Sequence, residues 1–482
     1  MKIAHYEVKQ LKVAIAYPPL ELTKGTPLLS QNRQFQWFNY ATYIYPVVPA
    51  YAATVLKTHG YDVIWLDGIA EKWTYQKFLE KLEEEKVDLI AVETKTPTVK
   101  KYWKIIDDLK KNFPKMKIVL MGDHVTALPE ESMENCKVDY VITGGDFDFA
   151  LLNLADHLTK EVALEPGVFW REKGKIKNSG KFKLSHSLEQ LPMIDRELTK
   201  WKLYAYNNGN FKHTPGTYTM IGRDCWWRKE AKQGGYGCTF CSWTNTFPQF
   251  RMGTAKQLLD EIGELIKLGV REVFDDTGTL PIGKWLDDFC HGMIDRGYNK
   301  KIKFGCNMRP NAITDQKVYD LMGKAGFRFI LYGLESANQK SLDRLNKGEK
   351  EGDIVKGTMM AKHGGLEPHV TCMVGYPWET EQNAQQTINL TRSLFDKGYI
   401  DTLQATIVIP YPGTGLFAEA KKEGWLKIED WDHYDMREPI LKSSIPNERI
   451  MELTQGIYSS FLTPKFILRK LSSIRSWDDI SY

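Results

Sequence analysis

The chain predicts an α/β protein in two successive parts: an N-terminal doubly wound parallel sheet, then a partial (β/α)6 barrel, with a helical C-terminal region after it. Three observations lead there. Short, continuously apolar runs alternate with amphipathic helical stretches from the first residues onward, the pattern of strands buried on both faces of a parallel sheet. The alternation lapses across a Lys-rich segment, and then resumes for six further β-α units. The expected limits are residues 1–160 for the first sheet, 161–213 for a linker, 214–420 for the barrel and 421–482 for the helical region.

In the first part the strands are "LKVAIAY" from Leu11, "DVIWLD" from Asp62, "DLIAVET" from Asp88, "KIVLMG" from Lys117 and "YVITGG" from Tyr140. Helical stretches such as "TYQKFLEKLEEEK" and "KKYWKIIDDLKKNF" separate them. Ligands of such a sheet sit at the carboxyl ends of its strands, here "YPPL", "TKTPT", "GDHVT" and "GGDFD". The run "REKGKIKNSGKFK" from Arg171 to Lys183 reads as a solvated hairpin.

In the second part "TYTMIG" opens the series, and the strands "EVFDD", "IKFGCN", "RFILYGLE", "HVTCMVGYP" and "LQATIVIPYPGTG" follow, each introduced by a helical stretch. Functional loops of a parallel barrel lie at the strand C-termini. No low-complexity tract or short repeat interrupts the chain.

With 482 residues the chain exceeds a single ordinary core. Lys+Arg exceed Asp+Glu by only four, which gives no global pull toward nucleic acid or an anionic membrane. No run approaches the roughly 18 apolar residues of a membrane span, and the start "MKIAHYEVKQ" lacks the apolar core of a signal peptide. Seven scattered cysteines do not make a disulfide framework, so the expected compartment is the reducing cytoplasm. A substrate could still be a lipid met at a surface.

One stretch concentrates chemistry. "RDCWWRKEAKQGGYGCTFCSW" holds Cys225, Cys238 and Cys241 in a C-x12-C-x2-C spacing. Three thiolates can hold a [4Fe–4S] cluster and leave one iron open for a chelating molecule. Structural zinc is the competing reading, but it usually wants a second knuckle or an H-x(3–5)-H, and neither is present. A redox C-x-x-C would leave Cys225 unexplained. Cys136, Cys290, Cys306 and Cys372 have no spacing partner, and apolar packing suits each.

The stretch resembles the cluster loop of radical S-adenosylmethionine (SAM) enzymes, in the form with an expanded first gap, a Cys-Trp-Trp start and a Cys-x-Phe-Cys end. "VFDDTG", "CNMRPN", "LYGLESANQKSLDRLNKG", "VGYPWET" and "IPYPGTG" then resemble the family's successive strand ends. The usual Gly-Gly-Glu of the second strand is absent. The resemblance implies that Cys225, Cys238 and Cys241 hold the [4Fe–4S] cluster. It implies further that Phe240, Asp275, Asp276, Asn307, Arg309, Glu335 and Ser336 lie at SAM. Asp275 and Asp276 suit helix capping about equally well.

The first part resembles the cobalamin-binding domain that precedes such barrels in one class, which includes methylases and the anaerobic porphyrin ester cyclase. "MGDHVTALPEE" and "VDYVITGGDFDFALLNL" are the most similar stretches. The resemblance makes Tyr17, Thr94, Thr96, Gly122, His124, Val125, Gly144 and Gly145 the cobalamin candidates. For His124 a hydrogen-bonded structural role is an equal alternative, and Gly144 suits either a tight turn or close approach to a corrin. The Asp-x-His-x-x-Gly motif that supplies a lower ligand is missing, so cobalamin is expected base-off, or lost with the domain kept as a lid.

The function so implied is C-methylation at an unactivated sp3 carbon through a 5′-deoxyadenosyl radical and methylcobalamin. The alternative is a radical cyclisation, C–C bond formation or oxidation without methyl transfer. A zinc- or cluster-stabilised binding protein is a third reading, and it leaves the ordered strand-end motifs unexplained. The implied partners are a one-electron reductant such as ferredoxin or flavodoxin and a small-molecule, lipid, peptide or protein substrate.

Overall fold

The computed structural model describes residues 11–29, 35–230, 237–459, 463–474 and 476–481. Its two large sheets are the two predicted ones. The first has seven strands, in the order Asp62–Asp67, Lys12–Tyr17, Leu89–Glu93, Lys117–Met121, Tyr140–Ile142, Val168–Glu172, Lys175–Asn178. Its first five strands are parallel, and near-complete burial of Val13 to Tyr17 and of Leu89 to Glu93 explains their unbroken apolar runs. Helices Val47–Thr58, Tyr75–Glu85, Val99–Asn112 and Phe147–Lys160 make or follow the crossovers.

The last two strands fall within the segment expected to be linker. Val168–Glu172 pairs antiparallel with Tyr140–Ile142, and Lys173 and Gly174, both at positive φ, turn the chain back into Lys175–Asn178. The hairpin is therefore an extension of the first sheet. Its lysines face water along an open edge, where charge discourages pairing with another chain.

The second sheet has six parallel strands in chain order: Gly216–Thr219, Glu272–Asp275, Lys303–Met308, Phe327–Glu335, Glu367–Val374 and Thr402–Ile407. Helices Ala255–Lys267, Lys284–Asp295, Gln316–Lys324, Asp353–His363 and Glu381–Lys397 cover its outside. Thr254 and Thr380 close capping boxes with Gln257 and Asn383, which fixes where two of these helices begin. The four cysteines without spacing partners are all buried, as packing residues should be.

After the helix Gly415–Lys422 the α-helices of the C-terminal region lie in its later half, Asn447–Ser459, Pro464–Ser473 and Trp477–Ser481, with only the 3-10 turn Trp431–His433 before them. Residues 421–446 double back instead: Lys427 N–H bonds Ile440 O and Lys442 N–H bonds Trp425 O. Pro439 and Pro446 deny this stretch a continuous helical ladder. The doubled segment straps the two parts together, since Trp431 donates to Glu131 at 2.8 Å and Lys24 meets Asp435 at 2.7 Å.

Candidate active site

The cysteine stretch is an excursion clamped at its base. Gly222–Arg223, just beyond the first barrel strand, pairs antiparallel with Arg251–Met252, a two-residue ladder that ties the two ends of the stretch together. Cys225 bridges to Thr279, and its Sγ lies 3.2 Å from Thr279 Oγ1. The approach needs Gly278, because a Cβ there would stand 2.9 Å from Cys225 Cβ. The other end is pinned as firmly. Thr239 N–H bonds Leu345 O at 3.0 Å, Leu416 N–H bonds Thr239 O at 2.8 Å, and Asn346 Nδ2 bonds Gly237 O at 2.8 Å.

All three cysteines border one open cavity at the carboxyl ends of the barrel strands. The twelve-residue gap after Cys225 would be read from its length as a surface excursion between Trp227 and Gly237, and its residues 231–236 lie outside the described residues. Burial pushes the Cys238 thiol up to about 12, against the pull of Lys347 and Arg309. Such a thiol gives up its proton when a metal takes its place. Among the described residues no three His, Cys, Asp or Glu side chains close on a point as one metal ion requires. Three thiols bordering one cavity are the donor set that a [4Fe–4S] cluster with one open iron takes.

Four of the residues expected at SAM share the cavity: Phe240, Asn307, Arg309 and Glu335. The strand register slips between Gly333 and Glu335, and Glu335 takes φ +61°, a conformation unusual for a residue with a side chain. The bulge brings Glu335 to the cavity, where Lys347 Nζ meets its Oε1 at 3.1 Å. Arg309 lies 4.3 Å over the Trp227 ring, pairs with Glu349 at 3.1 Å and donates to the Lys347 carbonyl. Burial opposes the charge on Lys347, yet Glu349 and Glu335 outweigh it and hold the ammonium above the ordinary lysine range.

The other three residues expected at SAM do not line the cavity. Asp275 is fully buried behind the cavity, its carboxylate taken up by Thr219 Oγ1, Ile221 N–H and Thr277 N–H at 2.9, 2.9 and 3.1 Å. Asp276 also stands behind the lining, where it accepts from Asn307 Nδ2 at 3.0 Å and orients that amide. Ser336 is buried and accepts from Asn338 N–H at 3.1 Å, shaping the turn after the strand.

Lys347, Thr371 and Gln404 line the cavity and had not been singled out. Gly333, Thr371 and Gln404 are register partners, one rung across the last three strands. Their signal in the sequence is a polar residue at every second position of an otherwise apolar strand. Lys347 lies between two residues at positive φ, Asn346 and Gly348, so no periodicity marks it as buried.

None of the eight first-domain candidates borders this cavity. Tyr17 donates to Glu93 at 2.5 Å beside a small hollow that Asp67 and Tyr204 also line. Thr94 and Val125 are fully buried, and Thr94 Oγ1 lies 3.4 Å from Thr98 Oγ1. His124 is engaged at both ring nitrogens, with Thr96 at 3.2 Å and Glu131 at 3.0 Å. Gly122 has φ +123° and packs on the Thr94 carbonyl. The close approach expected of a corrin at Gly144 and Gly145 is taken by side chains: an added Cβ would lie 2.6 Å from Phe182 and 1.9 Å from Phe247.

The seam between the two domains does hold unsatisfied polar groups. Asn245 Nδ2 and Thr246 Oγ1 are buried without a hydrogen bond among the described residues. Thr246 O accepts from Gly145 N–H at 2.8 Å, and Asn245 packs where Gly413 approaches Ala127. Amide-bearing groups like those around a corrin match such donors and acceptors.

Comparison with known proteins shows what the two parts resemble. The B12 binding domain model matches residues 38–148, and the Radical SAM superfamily model matches residues 234–391. The chain is 25% identical over 434 residues to an uncharacterized methyltransferase of Pyrococcus horikoshii, covering 88% of this chain and 90% of that one. It is 24% identical over 437 residues to the anaerobic magnesium-protoporphyrin IX monomethyl ester cyclase of Cereibacter sphaeroides, covering 88% of this chain and 67% of that one. The fold is that of the radical SAM methyltransferase TsrM of Kitasatospora setae, solved with cobalamin and a [4Fe-4S] cluster bound. The TM-score is 0.67 at 13% identity, over 94% of this chain and 89% of that one.

The chain belongs to the radical SAM enzymes that carry a B12-binding domain. Its cofactors are a [4Fe–4S] cluster, SAM and cobalamin. Its fold is the α/β pair of that class, an N-terminal parallel sheet and a curled half-barrel.

Proposed function

We propose that this enzyme methylates an unactivated sp3 carbon of its substrate. The observation that carries the reading is the cavity itself: Cys225, Cys238 and Cys241 reach one wall-lined volume together with Glu335, Lys347 and Arg309. The three thiolates would hold the cluster, and Glu335 and Asn307 offer the acceptors that an amine and ribose hydroxyls of SAM require. When bound, the cluster supplies the electron that cleaves SAM, and cobalamin carries the methyl group.

The chain's own residues do the rest. Arg309 and Lys347 give the cavity two buried cations, which favour the anionic cluster and a carboxylate ligand. The bulge at Glu335 and the Asp276–Asn307 contact fix side chains before any ligand arrives, so little ordering is left for binding. Asn245 and Thr246 would meet the amide groups of cobalamin at the domain seam. The finer partners are a ferredoxin or flavodoxin as reductant, in a cytoplasmic setting.

Product analysis tests the reading. Anaerobic turnover with SAM and substrate should yield S-adenosylhomocysteine alongside 5′-deoxyadenosine. Formation of 5′-deoxyadenosine with no S-adenosylhomocysteine would assign the enzyme to the cyclase-like alternative, which the cyclase relative favours.

A further inference from the structure

The helix Pro464–Ser473 is held to the barrel on one side. Phe466 meets Phe395 of helix Glu381–Lys397 edge to face, with centroids 5.4 Å apart, and Lys470 reaches Asp401 at 3.6 Å. Ile467, Leu471 and Ile474, spaced four and three residues apart, lie along another face with Leu468 between them. All four are exposed, Leu468 at 67% and Leu471 at 60%, and Trp477 just beyond is at 84%. Elsewhere among the described residues the large exposed apolar residues are more widely spaced along the chain. Here five fall between Ile467 and Trp477 and form a patch.

Beside this helix runs an open crevice bordered by Arg392, Lys397 and Lys465, with Asp396 the only acid on its rim. None of the three cations forms an ion pair among the described residues. Leucines, isoleucines and a tryptophan next to unpaired cations are the chemistry of a segment that lies in the headgroup layer of an anionic bilayer. A second copy of this chain fits the face poorly, because a two-fold contact would set the same cations against one another.

We propose that this face docks on an anionic phospholipid surface, with the apolar residues entering the headgroup layer and the crevice taking a lipid phosphate. The docking is peripheral, since no helix among the described residues is long and apolar enough to cross a membrane. It also leaves the cofactor cavity free. Asp478 anchors the last helix to Arg271 at 2.6 Å and to His213 at 2.7 Å, beside the starts of the barrel strands, whereas the cavity opens at their ends. The inference stands apart from the methylation reading, and its failure would leave that reading untouched.

Vesicle flotation of the anaerobically prepared holoenzyme tests it. The protein should float with phosphatidylcholine vesicles containing about 30 mol% phosphatidylglycerol, and bind pure phosphatidylcholine about tenfold less. Raising salt from about 0.1 to about 0.5 M should weaken the mixed-vesicle binding by a similar factor. L468E/L471E should abolish flotation, and R392E/K397E/K465E should reduce it about tenfold, with wild-type circular dichroism and iron content, because every changed side chain is exposed. No flotation of the wild type, or flotation that both variants leave intact, would overturn the proposal. A concentration-dependent dimer that L468E/L471E dissolves, without vesicle binding, would assign the face to a second copy instead.

Discussion

Arg223 and Asp148 face each other at 2.7 Å with neither side chain reaching solvent. Asp148 follows the Gly144–Gly145 turn beyond the carboxyl end of strand Tyr140–Ile142, and Arg223 stands two residues before Cys225. Arg251, at the other foot of the cysteine excursion, pairs with Asp146 through both of its terminal nitrogens at 2.7 Å. Burial raises the Asp148 carboxyl above its usual range while Arg223 pulls it back. Two ion pairs, the first of them fully buried, thus fix the cysteine loop to the cobalamin-type domain.

Breaking that pair from one side should be costly, because the partner charge is left buried and unpaired. Asp148→Asn or Arg223→Met should lose about 3–5 kcal/mol in anaerobic denaturant unfolding and lower the iron bound per chain. The double variant R223M/D148L should recover much of the loss, since apolar replacements of similar size leave no orphan charge.

Lys347 is the cation that Glu335 and Glu349 share, at 3.1 and 3.9 Å. Lys347→Met should keep the cluster, because it removes no thiolate, yet weaken SAM binding by roughly 2 kcal/mol, about thirtyfold in Kd. Iron content and calorimetric titration with SAM separate the two effects.

Glu379 is buried, with one oxygen accepting from Gly375 N–H at 2.8 Å and the other without a hydrogen bond. Burial raises its carboxyl from 4.5 to about 7. The folded state therefore holds a proton that the unfolded chain releases earlier. The stability this gives is full below about pH 4.5 and is lost as pH rises to about 7, a fall capped near 3 kcal/mol at ~1.4 kcal/mol per pH unit. Glu379→Gln should flatten that part of the stability–pH curve, measured by unfolding at fixed salt.

His124 has no free ring nitrogen, so bound cobalamin should lack a histidine ligand. Electron paramagnetic resonance of the cob(II)alamin form should show no superhyperfine splitting from a protein nitrogen, and His124→Ala should leave that spectrum unchanged. A nitrogen splitting that His124→Ala removes would contradict the assignment.

Most of the fold was legible in the sequence because parallel strands buried on both faces write themselves as unbroken apolar runs. The hairpin over Arg171–Lys183 was legible too, but its pairing with the first sheet was not, since an edge strand with lysines resembles a linker. Site residues followed a similar division. The cysteines, Asn307, Arg309 and Glu335 sit at strand ends in recognisable segments, whereas Lys347 owes its burial to the packing of Glu349 and Arg309 around it. Asp275 and Asp276 show the reverse: two acids at a strand end suggested a ligand site, but neighbouring hydroxyls, backbone amides and Asn307 take up their oxygens. Local spacing carries no record of such distant donors.

The central claim is that Cys225 joins Cys238 and Cys241 on one cluster despite the twelve residues between them. Iron analysis and electron paramagnetic resonance of anaerobically reconstituted Cys225→Ala, beside the wild type, test it most directly. The wild type should hold about four irons per chain with the signature of a reduced [4Fe–4S] cluster, and the variant should lose that cluster and all cleavage of SAM. A variant that keeps about four irons and full turnover would show that Cys225 is not a ligand.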